Sequence, residues 1–328
     1  MKDPHLSQVL RMKEMIENLD LAPAHQSINE LNNNYAIEVY RDLDASKLAK
    51  KFTGMLAQLE KDADNIIEYR EELLSKLDAR ISQYGSRYFA ESYAIYERHM
   101  QMYHDRSPYL TDVERNRQEL HRKMYDVTRD VIMGRIGLYA DWHHPGLEIG
   151  PGDCVWTQHL VAFQPLYIAD INQDFLNSTK ETFNEQYQAR LMDYLIKGSD
   201  LGELPQNQFG FIFSWNVFDY FPIDVIKTYL QQIYHLLKPG GVFMFSYNNC
   251  DRSRNVEFVE QGHMCYTPGS LLKELIASMD FELEAAYDLD ASISWLEIRR
   301  PGSLTSSRVR PPFGTIENIS DLQKPWQV

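Results

Sequence analysis

The residues best placed to do chemistry lie in "GLEIGPGDC", Gly146 to Cys154. An acid, Glu148, stands two residues before Gly150; Pro151 and Gly152 follow, then Cys154. Glycine lacks a Cβ, so it reaches dihedrals closed to other residues and lets the backbone approach a ligand closely. A carboxylate beside such a loop suits a cation better than a phosphate. The dinucleotide fingerprint G-x-G-x-x-G fails because Val155 occupies its last position, and no Lys-Ser/Thr pair makes a P-loop.

The other reactive side chains cluster where apolar runs end. "PLYIADIN" closes on Asp170 with Ile171 beside it, and "KGSDLGELP" carries Asp200 and Leu201. "FGFIFSWNVFDYFP" brings Trp215, Asn216, Asp219 and Tyr220. "LLKPGGVFMFSYNN" ends on Tyr247 and Asn248, with Asp251 just beyond, and the loop "EQGHMCYTPG" holds His263 and Tyr266. His143 and His144 precede the first run, which puts them at the wrong end of a strand for a site at its carboxyl end. No His/Asp/Glu cluster has convincing metal-ligand spacing, so no metal is expected.

The elements that must position these groups follow from periodicity. After Trp142, short apolar runs alternate with helical ones: GLEIG and a helix, PLYIAD and a helix around 175–195, FGFIFSW and a helix around 223–237, GGVFMFSY and a helix around 269–279. FELEAAYDL and SISWLEIRR close the series. Such β/α alternation predicts an α/β fold with a mostly parallel sheet covered by helices on both faces. The last two strands are separated by a short turn and should pair antiparallel at one edge. In such sheets ligands bind at the carboxyl ends of strands near the switch point, where Gly150 and Gly152 fall.

"LEIGPGDC" resembles motif I of the class I, Rossmann-like S-adenosylmethionine-dependent methyltransferases, E/D-x-G-x-G-x-G. Cys154 takes the third glycine position, where a small residue suffices because a helix packs near it. The later runs fit the same family in order, over roughly 146–300. The resemblance implies that Asp170 holds the ribose hydroxyls, which the two oxygens of one carboxylate suit, and that Ile171 next to it is also cofactor-binding. It also implies that Asp200 accepts from the adenine amino group with Leu201 beside the ring, and that Trp215 and Asn216 line the cofactor. Methyl transfer from a sulfonium needs an aligned nucleophile and, for an oxygen acceptor, a base. Asp219, Tyr247 and His263 are the candidate catalytic residues. The fourth-strand exit "SWNVFDYF" lacks the Asn/Asp-Pro-Pro-aromatic pattern of amine methylation on bases or glutamine, and there is no Pro-Cys pair for attack on a cytosine ring.

The first part of the chain has a different period. Phe52, Leu56, Leu59, Ala63, Ile66, Leu73 and Leu77 recur at steps of four and three, interrupted by Arg70. This predicts a coiled-coil-like helix over about 44–84, capped by Asp44 or Ser46 and ended or bent at Gly85. A tyrosine-rich stretch from Tyr84 to Tyr109 follows, suited to a core or interface or else to an acceptor surface. Pro108 should break a helix. Thr111 with Glu114 should start another, over about 112–140. The division expected is a helical region over 1–110, a methyltransferase domain over 111–302 and an extended tail over 303–328.

The formal net charge is −14, which repels phosphate backbones and argues against a nucleic-acid partner. No stretch approaches the ~18 apolar residues of a membrane span. Three cysteines without C-x-x-C spacing suit a reducing, cytoplasmic setting. The acceptor expected is a small molecule or a glycan hydroxyl. The alternatives are a protein acceptor docked by the N-terminal helices, or a non-catalytic cofactor-binding scaffold. A homodimer through the apolar seam is also expected, since something must cover it.

Overall fold

The computed structural model describes residues 6–18, 63–105, 128–152, 154–289 and 293–304. Seven strands are present among them: β1 Gly146–Ile149, β2 Leu166–Asp170, β3 Leu191–Leu195, β4 Phe209–Ser214, β5 Leu237–Tyr247, β6 Glu282–Leu289 and β7 Ile293–Arg299. The helices, in chain order, are α1 Leu6–Glu17, α2 Ala63–Asp105, α3 over 128–139, α4 Gln173–Glu181, α5 Glu185–Gln188, α6 Ile223–Leu236, α7 Ser253–Glu260 and α8 Gly269–Ala277.

The central strands are apolar on both faces because both faces are covered. Every residue of β1 and β4 is buried. The strands form one sheet in the order β3-β2-β1-β4-β5-β7-β6. Gly146 pairs in parallel with Leu166 on one side and with Phe211 on the other. β7 is antiparallel to both β5 and β6, so it alone runs against the rest, as the short turn before it requires.

On one face Ile226, Tyr229, Leu230 and Ile233 of α6 pack with Leu272 and Ile276 of α8. On the other, Ile132, Ile136 and Tyr139 of α3 pack with Trp156, Phe163 and Leu176. A buried ion pair fastens α3 to the sheet. The Arg135 guanidinium donates to both Glu297 oxygens, and Tyr139 and Tyr287 hydroxyls donate to the same carboxylate. With four donors converging on it, Glu297 stays in the core without an unmet charge.

Three expectations are corrected here. First, among the described residues no α-helix lies between β1 and β2. The loop makes turns and one 3₁₀ turn, Thr157–His159, before β2. Second, the helix expected around 175–195 ends at Glu181. α5 is capped separately by the Asn184 side chain, and Leu191–Leu195 is the edge strand β3. An edge strand buries little, and in β3 only Leu191 is buried, so its apolar pattern does not alternate. Third, α2 does not stop at Gly85. It runs 43 residues to Asp105. A Cβ at Gly85 would lie 3.3 Å from the Tyr266 hydroxyl, so the glycine serves close packing and its helix cost of about 1 kcal/mol is offset there.

α1, α2 and α7 share a core of Leu6, Val9, Leu10, Met12, Ile16, Leu73, Leu77, Val256 and Val259. Arg70 interrupts the apolar seam because it caps α1, donating to the carbonyls of Ile16 at 3.0 Å and Glu17 at 2.7 Å. α1 and α7 cap each other. Glu14 accepts from the Ser253 amide and hydroxyl, both at 2.9 Å, and Glu260 accepts from the Ser7 amide at 3.0 Å and hydroxyl at 2.7 Å. Each carboxylate thus meets the orphan donors and positive end of the other helix. Arg11 adds an ion pair to Glu257.

The seam is therefore covered within the chain at Leu73 and Leu77. Phe52 to Leu59, the caps at Asp44 or Ser46, Pro108, the Thr111–Glu114 box and the tail beyond Leu304 lie outside the described residues. The expected helix over 112–140 is helical in its described part, 128–139. Among the described residues no helix is long and apolar enough to cross a membrane.

Candidate cofactor and methyl-transfer site

The loop after β1 is built from left-handed residues. Gly150 has φ of 73°, Gly152 of 49° and Cys154 of 63°. At Gly150 a Cβ would collide with the Val217 side chain, whereas at Gly152 it would meet nothing within 4 Å. Gly150 is thus required by packing as well as by φ, and Gly152 leaves open space beside the backbone. Cys154 answers to its dihedral more than to an α-helix packing on it: among the described residues no α-helix comes before β2, yet the position demands the conformation glycine adopts most readily. Its side chain is buried, and burial pushes the thiol pKa up, which leaves it inert.

Glu148 is 3% exposed, and its Oε2 has no hydrogen-bond partner. Burial, with the Asp170 charge adding to it, pushes its pKa up to about 8. A buried carboxyl so placed gains most from a cation brought against it. Asp170, at the end of β2, is pushed up to about 6 by burial, while backbone amides of Asn172, Gly152 and Ile171 pull it back. Its Oδ1 accepts from the Asn172 amide at 2.9 Å. The β1 loop and the β2 acid are therefore in contact.

At the exit of β4, Asn216 adopts φ of 55°, and neither atom of its buried amide has a partner. Its backbone amide donates to Ser246 Oγ at 2.8 Å, and Ser246 donates to Asp219 Oδ2 at 3.0 Å. Trp215 packs edge-on against Trp156, with ring centroids 5.7 Å apart. Asp200 stands further out: it is exposed, and its Oδ1 accepts from the Gly202 amide at 2.8 Å in a turn of its own. The buried Leu201 gives its amide to Gln232 at 2.7 Å. Asp200 and Leu201 follow β3, and Leu201 packs in the same apolar cluster as Ile149 of β1 and Ala169 of β2.

Of the candidate bases, Asp219 is buried at the β4 exit. Tyr247 is buried at the end of β5, its hydroxyl 2.7 Å from where a Cβ on Gly269 would stand; burial raises its phenol well above the ordinary value. The carbonyl of His263 faces α2, where His99 Nε2 lies 3.1 Å away. A carbonyl only accepts, so His99 carries its proton on Nε2. His143 bonds Asp141 and His144 lies near Lys238, both before β1 and so away from the carboxyl edge. Among the described residues no group of His, Cys, Asp and Glu is arranged to hold a metal ion.

α2 crosses this carboxyl edge. Ser92 binds the backbone of Tyr266, beyond β5. Tyr96 and His99 pack on Phe221 and Tyr220, beyond β4. The Tyr103 carbonyl accepts from Asn172 Nδ2 at 2.6 Å, beyond β2. Because β1 lies between β4 and β2, the helix passes over the β1 loop. Sequence reading did not single out Asn172, and it placed His99 only beside the tyrosine-rich stretch. The Asn172 cap on α4, made by its Oδ1 to Asp174 N at 2.8 Å, was foreshadowed by an Asn followed by an Asp two residues on. Its second bond, to α2, had no sequence signal.

A family model described as a methyltransferase domain matches residues 88–286. The chain belongs to this methyltransferase-domain family. A search of curated proteins finds no match. Among solved structures, the methyltransferase is similar to an S-adenosylmethionine-dependent methyltransferase from Clostridium acetobutylicum, at 12% identity over 54% of this chain and 92% of that one, with a TM-score of 0.44. It is also similar to geranyl diphosphate C-methyltransferase from Streptomyces coelicolor, at 11% identity over 59% and 86%, with a TM-score of 0.46. A third similar structure is an S-adenosylmethionine-dependent methyltransferase from Aquifex aeolicus, at 12% identity over 52% and 88%, with a TM-score of 0.41.

The methyltransferase's cofactor is S-adenosyl-L-methionine. The residues present fit it: a buried acid with an unmet oxygen for a cationic group, a glycine turn with open space beside it, and an unpartnered amide at Asn216.

Proposed function

We propose that this methyltransferase transfers a methyl group to a hydroxyl of a small molecule or glycan. The observation that carries this reading is the course of α2 over the carboxyl edge of the sheet, from Tyr266 to Asn172. A crevice roofed by a helix admits a small acceptor, or the end of a sugar chain, more readily than the face of a folded protein or a duplex. The acidic charge of the chain adds to the case against nucleic acid. In this reading α2, from the helical region at 1–110, caps a methyltransferase domain at 111–302.

The sulfonium of the bound cofactor supplies an activated methyl group for in-line displacement. Glu148 meets the cofactor's ammonium, Asp170 takes the ribose hydroxyls, and Gly150, Pro151 and Gly152 let the backbone lie against it. Asn216 and Trp215 line the β4 side, with Ile171 beside the ribose and Asp200 and Leu201 toward the adenine rim. Asp219 is the best-supported proton acceptor, since the Ser246 hydroxyl joins its carboxylate to the Asn216 backbone. Tyr247, with its pKa raised, donates a hydrogen bond and does not take a proton. His263 acts through the loop that meets α2.

The test is a tritiated-methyl transfer screen against cell extract, separated into metabolites, glycans and protein. Label in the metabolite or glycan fraction supports the proposal. Label in protein alone would shift the reading to a protein acceptor docked by the N-terminal helices. Bound cofactor with no transfer to any fraction would point to a scaffold.

A further inference from the structure

The attachment of α2 changes along its length. Its first half is held by apolar burial: Leu73, Leu77, Tyr84 and Tyr88 pack in one cluster with α1, α7 and Tyr266. From Tyr93 onward the hydrogen bonds run to the first turn of α6, to the turn after α7 and to the loop after β2. Tyr93 Oη donates to Asp224 Oδ2 at 2.6 Å, Arg98 donates to the Gly262 carbonyl, and His99 meets the His263 carbonyl. Tyr103 receives the bond from Asn172. Only Ser92, Ile95 and His99 are fully buried between Glu91 and Tyr103.

Asn172 makes three separate connections. Its backbone amide donates to Asp170 Oδ1 at 2.9 Å, its Oδ1 caps α4 at Asp174, and its Nδ2 donates to the Tyr103 carbonyl at 2.6 Å. One residue thus joins the acid that takes the ribose to the helix above the crevice. Asn172 is buried, which limits the competition of water for these bonds.

We propose that α2 from Tyr93 to its end is a roof that lifts for cofactor exchange, and that Asn172 is its latch. This rests on the cofactor reading above. The apolar first half is the fixed part. The later half is held by these polar ties, each contributing modestly, and by contacts of Tyr96, His99, Met100 and Tyr103. Only Ile95 and His99 of it are fully buried, and so it opens without unfolding the core, as lids over active sites do. Asn172 is a positioning residue: cofactor ribose on Asp170 steadies the β2 exit, and Asn172 passes that order to α2. Closure then forms the wall facing the acceptor, with His99 and Tyr220 at its centre.

The experiment uses the full chain and S-adenosylhomocysteine as probe. Hydrogen exchange is followed with and without the probe, and dissociation is followed by tryptophan fluorescence, since Trp156 and Trp215 flank the loop. Asn172→Asp keeps a cap oxygen for α4 but sets a carboxylate against the Tyr103 carbonyl; Asn172→Ser keeps a good cap and removes the donor. In the wild-type chain the probe should slow exchange in residues 93–103 as well as in 148–152. Either variant should speed dissociation about tenfold, the worth of one such bond, and lose the slowing in 93–103 while keeping it in 148–152.

Slowing confined to 148–152 in the wild-type chain, or wild-type dissociation in a folded variant, overturns the latch and leaves the cofactor reading standing. No slowing in 148–152 overturns both. The wild-type comparison decides the matter even if both variants fail to fold.

Discussion

At the scale of single residues, Glu148 sets the chemistry of the crevice. Its pKa in the folded chain is about 8 against an ordinary 4.5, and that of Asp170 is about 6 against 3.8. A carboxyl that holds its proton more tightly when folded stabilises the protein at low pH. That stability drains away as pH rises from the ordinary value to the folded one. The cofactor-free protein should therefore lose thermal stability as pH rises from about 4 to 8, the loss above pH 6 being that of Glu148, and Glu148→Gln should flatten the part between pH 6 and 8 in a melting series. A bound ammonium reverses the preference and favours the carboxylate. Cofactor binding should release a proton in this window, seen as a binding enthalpy that varies with the ionisation enthalpy of the buffer. An enthalpy independent of buffer would remove Glu148 from the cation's side. The two glycines should also differ. Gly152→Ala strains only a left-handed turn, at about 1–2 kcal/mol. Gly150→Ala adds a collision with Val217 and should cost about 2–5 kcal/mol in denaturant unfolding. Equal costs would mean that Val217 yields.

At the scale of elements, the sheet was legible because β1, β2, β4 and β5 are apolar runs buried on both faces, a pattern that needs no partner to be recognised. β3 escaped because an edge strand shares its apolar surface with solvent, and Met192 and Leu195 stay exposed. The turn after β1 was mistaken for a helix start because its left-handed residues leave no periodicity to contradict one. Arg70 looked like a flaw in a heptad seam until the end of α1 came to rest on it. Tertiary capping of this kind is invisible in a single helix. The mutual caps of α1 and α7 make it measurable: Glu14→Ala and Glu260→Ala should each cost about 1 kcal/mol. Both should lower the melting temperature, and the cofactor should bind each variant unchanged. A drop in cofactor affinity with either would mean that the α1–α7 pair reaches into the crevice.

At the scale of the whole molecule, two parts with different periods form one site. The glycine loop, Asp170 and the β4 exit were legible from their order along the chain, since a parallel sheet brings all strand exits to one edge. The roof was not, because helical periodicity tells which face of α2 is apolar and not which surface it meets. Its tyrosines divide accordingly. Tyr84 and Tyr88 are core, Tyr96 packs on Phe221, and Tyr103 reaches the β2 exit. The measurement that bears most directly on the account is calorimetric titration of S-adenosylhomocysteine into the full chain and into Asp170→Ala. The account predicts one site per chain, with affinity about 100-fold weaker or more in a folded Asp170→Ala variant, as two hydrogen bonds to a charged group, each contributing about 1.5–3 kcal/mol, are lost. Equal affinity in the two proteins, or no binding to the wild-type chain, would contradict it.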